Sequence, residues 1–187
     1  MTSPKNQGTT SGDELWQLAC AFAARVHTGQ LRKDRATPYF SHVARVAFTL
    51  RHTFGFGDPV ALAAALLHDS IEDTPADYDD IAHRFGTEIA DIVAALTKNM
   101  ILPEAAREAD YDHRLAQADW RARLIKLADV YDNLCDMHTS VRSDAEAARA
   151  RHLVRCERAI ELALEDAKTH SESARAIEIV RMRMSQT

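Results

Sequence analysis

The chain of 187 residues has few of the residues that break or cross-link a polypeptide, with 6 Gly, 5 Pro and 3 Cys. So few turn-forming residues, beside abundant Ala, Leu, Glu and Arg, favour helices over strands. The three cysteines are an odd number and have no metal-ligand spacing, which argues against a disulfide framework or a zinc site. They predict reduced thiols in a cytoplasmic protein.

A long apolar run and an excess of positive charge are also missing. No segment approaches the roughly 18 uncharged apolar residues that a membrane span requires. The start, MTSPKNQGTTSGD, has no apolar block of the kind found in a secretion signal. The net charge of −5 argues against a general nucleic-acid binder. We therefore expect a cytoplasmic protein that binds neither membrane nor nucleic acid.

Apolar residues instead recur at the three- and four-residue spacing of amphipathic helices. With 46% hydrophobic and 27% charged residues, the composition is that of a globular protein. We predict an all-α fold with a disordered tail over 1–12 and one domain over 13–187, its C-terminal helices covering 143–184. Ser11 and either Ser143 or Asp144 are predicted helix caps. The region 100–118 is predicted to be mixed and only partly helical.

The segment LLHDSIEDT closes the third predicted helix, which should run from the cap Asp58 to about Thr74. This helix is apolar nearly all round, as expected of a buried central helix. On a helical wheel its last turn and a half places four polar side chains within an arc of about 140°: His68, Asp69, Glu72 and Asp73.

Three acids at the negative end of a helix dipole repel both one another and the dipole. A bound divalent cation would offset both repulsions, and imidazole beside carboxylate is a common ligand pair for such ions. The alternative is a solvated helix end with an exposed His68 and hydrated acids. The spacing favours a metal site without deciding between the two.

Further ligands would have to come from other helices. His42 begins the second predicted helix, and by itself it is more typical of a cap or core histidine. Asp129 lies with Lys126 and Asn133 on the polar side of a later helix. That side is either a solvated face or the wall of a polar cleft, and periodicity does not separate the two. We expect the remaining histidines, including His27, at the surface.

Three segments, RKDRATPYFSH, AALLHDSIEDT and KLADVYDNL, occur in this order within about residues 16–138. Together they resemble the hydrolase domain of the Rel/Spo alarmone enzymes, which are HD-superfamily proteins that degrade guanosine tetraphosphate (ppGpp). Because the chain has no room for a synthetase or regulatory domain, it looks most like a stand-alone small alarmone hydrolase. The resemblance implies the helical HD-domain fold and release of the 3′-pyrophosphate from ppGpp or pppGpp.

The resemblance also implies a role for each residue that matches a family motif. The implied ligands of Mn²⁺, the family's usual ion, are His42, His68, Asp69 and Asp129. The implied acid pair, which positions and activates the attacking water, is Glu72 and Asp73. The residues that this resemblance implies hold the nucleotide are Arg32, Lys33 and Asn133. Apart from the resemblance, Lys126 is expected to join Arg32 and Lys33 in neutralising the substrate phosphates.

Two other readings of the same motifs stay open. The metal site could act on a different nucleotide, such as an adenosine alarmone or the 2′-phosphate of NADPH. The protein could also be a non-catalytic nucleotide sensor, although the presence of every ligand and both acids argues against that. Self-association through the C-terminal helices is a further alternative.

Overall fold

A computed structural model describes residues 12–137 and 145–186, and within them the chain forms ten α-helices. In chain order these are α1 (Gly12–Val26), α2 (Phe40–Phe48), α3 (Pro59–Leu67), α4 (Ser70–Asp73), α5 (Tyr78–Phe85), α6 (Thr87–Leu96), α7 (Glu104–Gln117), α8 (Trp120–Asp136), α9 (Ala145–Ala163) and α10 (Ser171–Ser185). A π-helical turn continues α2 over Thr49–Thr53, and a 3₁₀ turn over Asp166–Lys168 precedes α10.

Extended backbone pairs in these residues only at an isolated bridge between Leu31 and Pro38, so the all-α prediction is confirmed. Of the predicted tail over residues 1–12, residues 1–11 lie outside the described residues and Gly12 begins α1. The predicted caps Ser11, Ser143 and Asp144 also lie outside the described residues. None of the described helices is both long and apolar enough to cross a lipid bilayer.

Helix α3 is the central helix of the fold, as its apolar sequence predicts. Its start is confirmed: the Asp58 carboxylate accepts a hydrogen bond from the amide of Ala61 at 2.8 Å, and Pro59 opens the first turn. Every residue from Ala63 to Leu67 is buried. Helices α1, α2, α6 and α8 all pack against it. Few polar groups can be tolerated in such surroundings, so those at its end must be compensated.

Helix α8 is the second helix of the interior, and it is also contacted by α2, α9 and α10. Its predicted cap is confirmed, because the Asp119 side chain accepts a hydrogen bond from the amide of Arg121 at 2.8 Å. One apolar face, including Leu124, Leu127 and Leu134, is fully buried. Because α2, α3 and α8 pack pairwise, the polar side chains of His42, His68 and Asp129 approach one another.

Two predicted elements differ from the structure. The third helix does not continue to Thr74: α3 ends at Leu67, the chain turns through His68 and Asp69, and α4 begins at Ser70. The region 100–118 contains more helix than predicted, because α7 forms a regular helix of 14 residues over Glu104–Gln117. Helix α7 buries Tyr111 and Leu115 against the core. Helix α7 also forms ion pairs with Lys98, just before it, and with Arg158 on α9. Because Arg158 is distant in sequence, a local pattern under-predicts this helix.

Candidate metal-dependent active site

The break between α3 and α4 is formed by His68. Its Nδ1 lies 2.8 Å from the carbonyl oxygen of Ala65, one of the last carbonyls of α3. A carbonyl only accepts hydrogen bonds, so Nδ1 must carry the proton and donate it. The second nitrogen, Nε2, is buried and has no hydrogen-bond partner among the described residues. Nε2 is therefore the nitrogen that can bind either a metal cation or, in its place, a second proton.

His42 presents the same nitrogen to the same point. Its Nε2 lies 3.5 Å from Oδ2 of Asp69 and 3.3 Å from Oδ1 of Asp129. Nε2 of His68 lies 3.1 Å from the same Asp69 oxygen. The two imidazole rings are 5.3 Å apart, edge to face. Residues from α2, α8 and the α3–α4 turn thus converge on one small volume.

This donor set fits a divalent cation. His42, His68 and Asp69 each offer an atom within 4.8 Å of the others. Ligands about 2.0–2.2 Å from an ion are about 3 Å apart when they occupy adjacent octahedral positions, close to the distances observed. Asp129, the fourth predicted ligand, lies outside this set of three but contacts His42. Its carboxylate also accepts hydrogen bonds, which come from Lys126 Nζ at 2.8 Å and Asn133 Nδ2 at 2.7 Å.

The electrostatics of the group favour positive charge. Burial opposes protonation of His68, but the neighbouring carboxylates of Asp69 and Asp129 outweigh it and raise its pKa to about 9. The pKa of His42 is also raised, because its carboxylate neighbours outweigh burial. Burial by itself would raise the pKa of Asp69, but the two neighbouring histidines outweigh burial and lower this pKa below its usual value. Imidazole nitrogens and carboxylate oxygens are also the donors that transition-metal dications accept.

The predicted acid pair lies on α4, beside this group. The hydroxyl of Tyr39 bridges Asp73 and the predicted ligand Asp69. It donates to Asp69 Oδ2 at 2.6 Å and lies 3.1 Å from Asp73 Oδ2. Glu72 is held by the backbone amide of Lys98, which donates to Oε2 at 2.7 Å. Burial, together with the neighbouring acids, raises the pKa of both Glu72 and Asp73. Raised pKa values suit groups that accept a proton near neutral pH.

Three of the four predicted nucleotide-binding residues, Arg32, Asn133 and Lys126, are linked to the ligand group by hydrogen bonds. Arg32 donates from Nη2 to Asn133 Oδ1 at 2.9 Å and to Asp136 Oδ2 at 2.7 Å. Since Asn133 contacts Asp129, Arg32 is linked to the ligand group by hydrogen bonds. Lys126 contacts Asp129 directly. Lys33 lies in the same turn as Arg32 and is exposed.

The structure also brings in residues that the sequence analysis did not single out: Tyr39, Arg45, Asp132 and Asp136. Spacing could have found the two acids, since Asp132 lies three residues after Asp129 on the same helix and Asp136 four residues further. The surface prediction for His27 is wrong. His27 is buried at 2% exposure, its Nδ1 lies 2.7 Å from Gln30 Oε1, and its ring packs against Tyr39.

Comparison with known proteins defines the class. A family model of the HD domain matches residues 19–156, and the chain belongs to this family. The human guanosine-3′,5′-bis(diphosphate) 3′-pyrophosphohydrolase MESH1 is 40% identical over 130 residues, which cover 68% of this chain and 73% of that protein. The Drosophila melanogaster MESH1 is 38% identical over 120 residues, 64% of this chain and 67% of that protein.

A solved structure of a metazoan ortholog of SpoT, described as hydrolysing ppGpp, superimposes with a TM-score of 0.77. The match covers 98% of both chains at 28% identity. A structure from Listeria monocytogenes gives a TM-score of 0.59 at 25% identity, over 79% of this chain and 96% of that one. The resemblance to Rel/Spo hydrolases and the expected HD-domain fold are therefore confirmed.

Proposed function

We propose that this protein hydrolyses guanosine alarmones, converting ppGpp or pppGpp to GDP or GTP and pyrophosphate. The observation that carries the proposal is the convergence of Nε2 of His42 and Nε2 of His68 on Asp69, beside Asp73 on the next helix. The MESH1 relatives are named for this activity and share about two fifths of the residues in the aligned region. The described helices share a hydrophobic cluster from Ala19 to Val180, and we propose that residues 13–187 act as one domain.

The cofactor in this proposal is Mn²⁺ or another divalent cation. The residues that would hold it are His42, His68, Asp69 and Asp129. Such an ion, when bound, lowers the pKa of a coordinated water and polarises a phosphoryl oxygen. Two imidazole nitrogens and two carboxylate oxygens would leave positions on such an ion for water and substrate.

Proton transfer falls to the acid pair. Asp73 or Glu72 takes the proton from the attacking water at a carboxylate oxygen, because burial and neighbouring acids raise the pKa of both groups. Tyr39 keeps the Asp73 carboxylate next to the ligand group, because its hydroxyl contacts both Asp73 and Asp69. Attack of the water oxygen at the 3′ phosphorus breaks the bond from that phosphorus to the ribose oxygen and releases pyrophosphate. The ribose oxygen takes up a proton and becomes the 3′-hydroxyl of GDP or GTP.

Substrate binding requires cations, because the carboxylates of the site otherwise repel a nucleotide that carries two diphosphates. Arg32 and Lys126 supply positive charge at hydrogen-bond distance from Asn133 and Asp129 respectively. Lys33 adds a third charge from the same exposed turn as Arg32. Asn133 offers an amide that hydrogen-bonds without charge.

Product analysis tests this proposal. Protein loaded with Mn²⁺ is incubated separately with ppGpp, an adenosine alarmone and NADPH, and the products are separated by ion-exchange chromatography. We expect GDP and pyrophosphate from ppGpp in equal amounts, and much slower turnover of the other two. Unchanged ppGpp, or faster release of phosphate from NADPH, would contradict the substrate assignment.

Matched variants separate the proposed base from general effects of charge. Asp73→Asn and Glu72→Gln keep the shape of each side chain and remove its basicity, so each should lower kcat by about 100-fold or more. Asp79→Asn changes an exposed aspartate on α5 and should leave kcat unchanged. Full activity in both Asp73→Asn and Glu72→Gln would refute the proposed acid pair.

A further inference from the structure

Asp132 contacts the imidazole of His42 on the side away from the proposed ion. Its Oδ2 lies 2.7 Å from Nδ1 of His42, and the residue is only 3% exposed. A carboxylate accepts hydrogen bonds, so this contact assigns the ring proton to Nδ1 and leaves the lone pair on Nε2. For His68 the corresponding partner of Nδ1 is a backbone carbonyl. His42 differs because its partner carries a charge.

Arg45 holds Asp132 in this position. Its guanidinium donates from Nε to Asp132 Oδ1 at 2.6 Å and from Nη2 to Oδ2 at 3.0 Å, a two-point contact that fixes the plane of the carboxylate. Arg45 lies on α2, three residues after His42, whereas Asp132 is on α8. The pair therefore holds the ring of His42, which lies on α2, against α8.

The same arginine, Arg45, is also linked to Arg32. Arg45 Nη2 lies 3.0 Å from both carboxylate oxygens of Asp136, and Asp136 Oδ2 accepts from Arg32 at 2.7 Å. A continuous row of hydrogen bonds thus runs from His42 through Asp132, Arg45 and Asp136 to Arg32. Each of the two carboxylates in it has an arginine as its neighbour.

We infer that Asp132 is a positioning residue which, held by Arg45, directs Nε2 of His42 at the cation site and increases the ring's strength as a ligand. Carboxylates that contact the distal nitrogen of a ligating histidine commonly change metal affinity by about 10- to 100-fold. The inference rests on the cation site of the proposed function, although it does not depend on which nucleotide is hydrolysed.

The test measures Mn²⁺ binding directly, without turnover. The dissociation constant is obtained from the electron paramagnetic resonance signal of free Mn²⁺, and the nitrogen couplings of bound Mn²⁺ are obtained by electron spin echo modulation. For Asp132→Asn we expect binding weaker by about 10- to 100-fold and an altered coupling from one histidine. Arg45→Gln leaves Asp132 in place but unanchored, so it should weaken binding in the same direction by a smaller factor.

Asp166→Asn is the matched control. Asp166 is also a shielded carboxylate that makes a two-point contact with an arginine, Arg123, at 2.6 and 2.8 Å, but it lies in the 3₁₀ turn before α10. This variant should lower the Tm and leave the Mn²⁺ dissociation constant unchanged. If Asp132→Asn does not fold, as judged by circular dichroism, Arg45→Gln decides the question by the same two measurements.

The outcomes separate this inference from the proposed substrate. Binding within twofold of the original protein and unchanged nitrogen couplings in Asp132→Asn, or in Arg45→Gln where that variant decides, would overturn the inference. Equal weakening by Asp166→Asn would overturn it as well, since the effect would then be one of general stability. If Mn²⁺ binds as expected in every variant but ppGpp is not hydrolysed, the substrate proposal fails and the role of Asp132 stands.

Discussion

The proposed cation site can be probed at His68 with little disturbance of the fold. In His68→Asn, the side-chain amide nitrogen takes about the place of Nδ1 and can still donate to the Ala65 carbonyl that closes α3. The buried Nε2, which lacks a hydrogen-bond partner in the described residues, is removed. The substitution therefore keeps the local cap and deletes one proposed ligand. We expect a loss of about 1–2 kcal/mol in the free energy of unfolding without metal, from the smaller buried side chain.

The effect on metal-dependent stability should be larger. At a free Mn²⁺ concentration 100 times the dissociation constant, a ligand that binds only the native state adds about 2.7 kcal/mol. For a chain of this length each kcal/mol raises the Tm by about 2–4 °C, so the original protein should gain about 5–10 °C. If loss of one ligand weakens binding about 100-fold, the same Mn²⁺ concentration adds only about 0.4 kcal/mol and about 1 °C.

Differential scanning calorimetry of chelator-treated protein over a series of Mn²⁺ concentrations measures this difference. His83→Asn is the control, because His83 is exposed on α5 and should keep the full increase. A His68→Asn protein that retains the full metal-induced rise in Tm would show that Nε2 of His68 is not a ligand. That result would refute the reasoning from tautomer to metal site.

Three further predictions follow from contacts around the site and core. Tyr39→Phe removes the hydroxyl shared by two carboxylates of the site. A hydrogen bond to a charged group contributes about 1.5–3 kcal/mol, and a loss at the low end of this range should lower kcat/KM for ppGpp about tenfold in steady-state assays. Arg123→Met leaves Asp166 without its buried partner and should cost about 3–5 kcal/mol in urea unfolding, whereas a loss below 1 kcal/mol would contradict the burial argument. The hydrogen bond from Arg121 lowers the pKa of Asp119 below its unfolded value of about 3.9, so its stabilisation is complete above that pH and is lost as the pH falls through the folded pKa. The Tm difference between Asp119→Asn and the original protein should accordingly shrink from pH 6 to pH 3, and because Asp119 is partly exposed the underlying effect should be well below 1 kcal/mol.

The elements that the sequence predicted correctly are those whose signals are local. The Asp58-Pro59 start of α3, the Asp119 cap of α8 and the buried apolar face of each helix depend on residues within a turn or two of one another. Helix α7 was under-predicted because it buries just two side chains, Tyr111 and Leu115, which give a weak apolar pattern. It is also stabilised by an ion pair with Arg158, which is distant in sequence.

The residues proposed for the cation site were named from the sequence, but the residues that orient them were not. The acids of LLHDSIEDT and the resemblance named side chains that contact one another in the structure, and their role as ligands stays a prediction. The partners that orient them, Tyr39, Arg45 and Asp132, come from two different helices and the turn before one of them. A polar residue that faces a solvated groove and one that faces a buried ligand have the same position on a helical wheel, so periodicity could not distinguish them.

The break at His68 shows why the sequence predicted a continuous helix where the structure has a turn. The segment contains neither Gly nor Pro, the residues that usually interrupt a helix. The interruption comes instead from a side chain, because His68 satisfies the carbonyl of Ala65 that an unbroken helix would have bonded through its backbone. The residue that ends α3 is thereby also the residue whose other nitrogen is left facing Asp69. In a continuous helix Nδ1 would have no reason to hold the proton, and Nε2 would have no fixed direction. The same hydrogen bond therefore ends the helix and turns Nε2 of the histidine toward the proposed cation site.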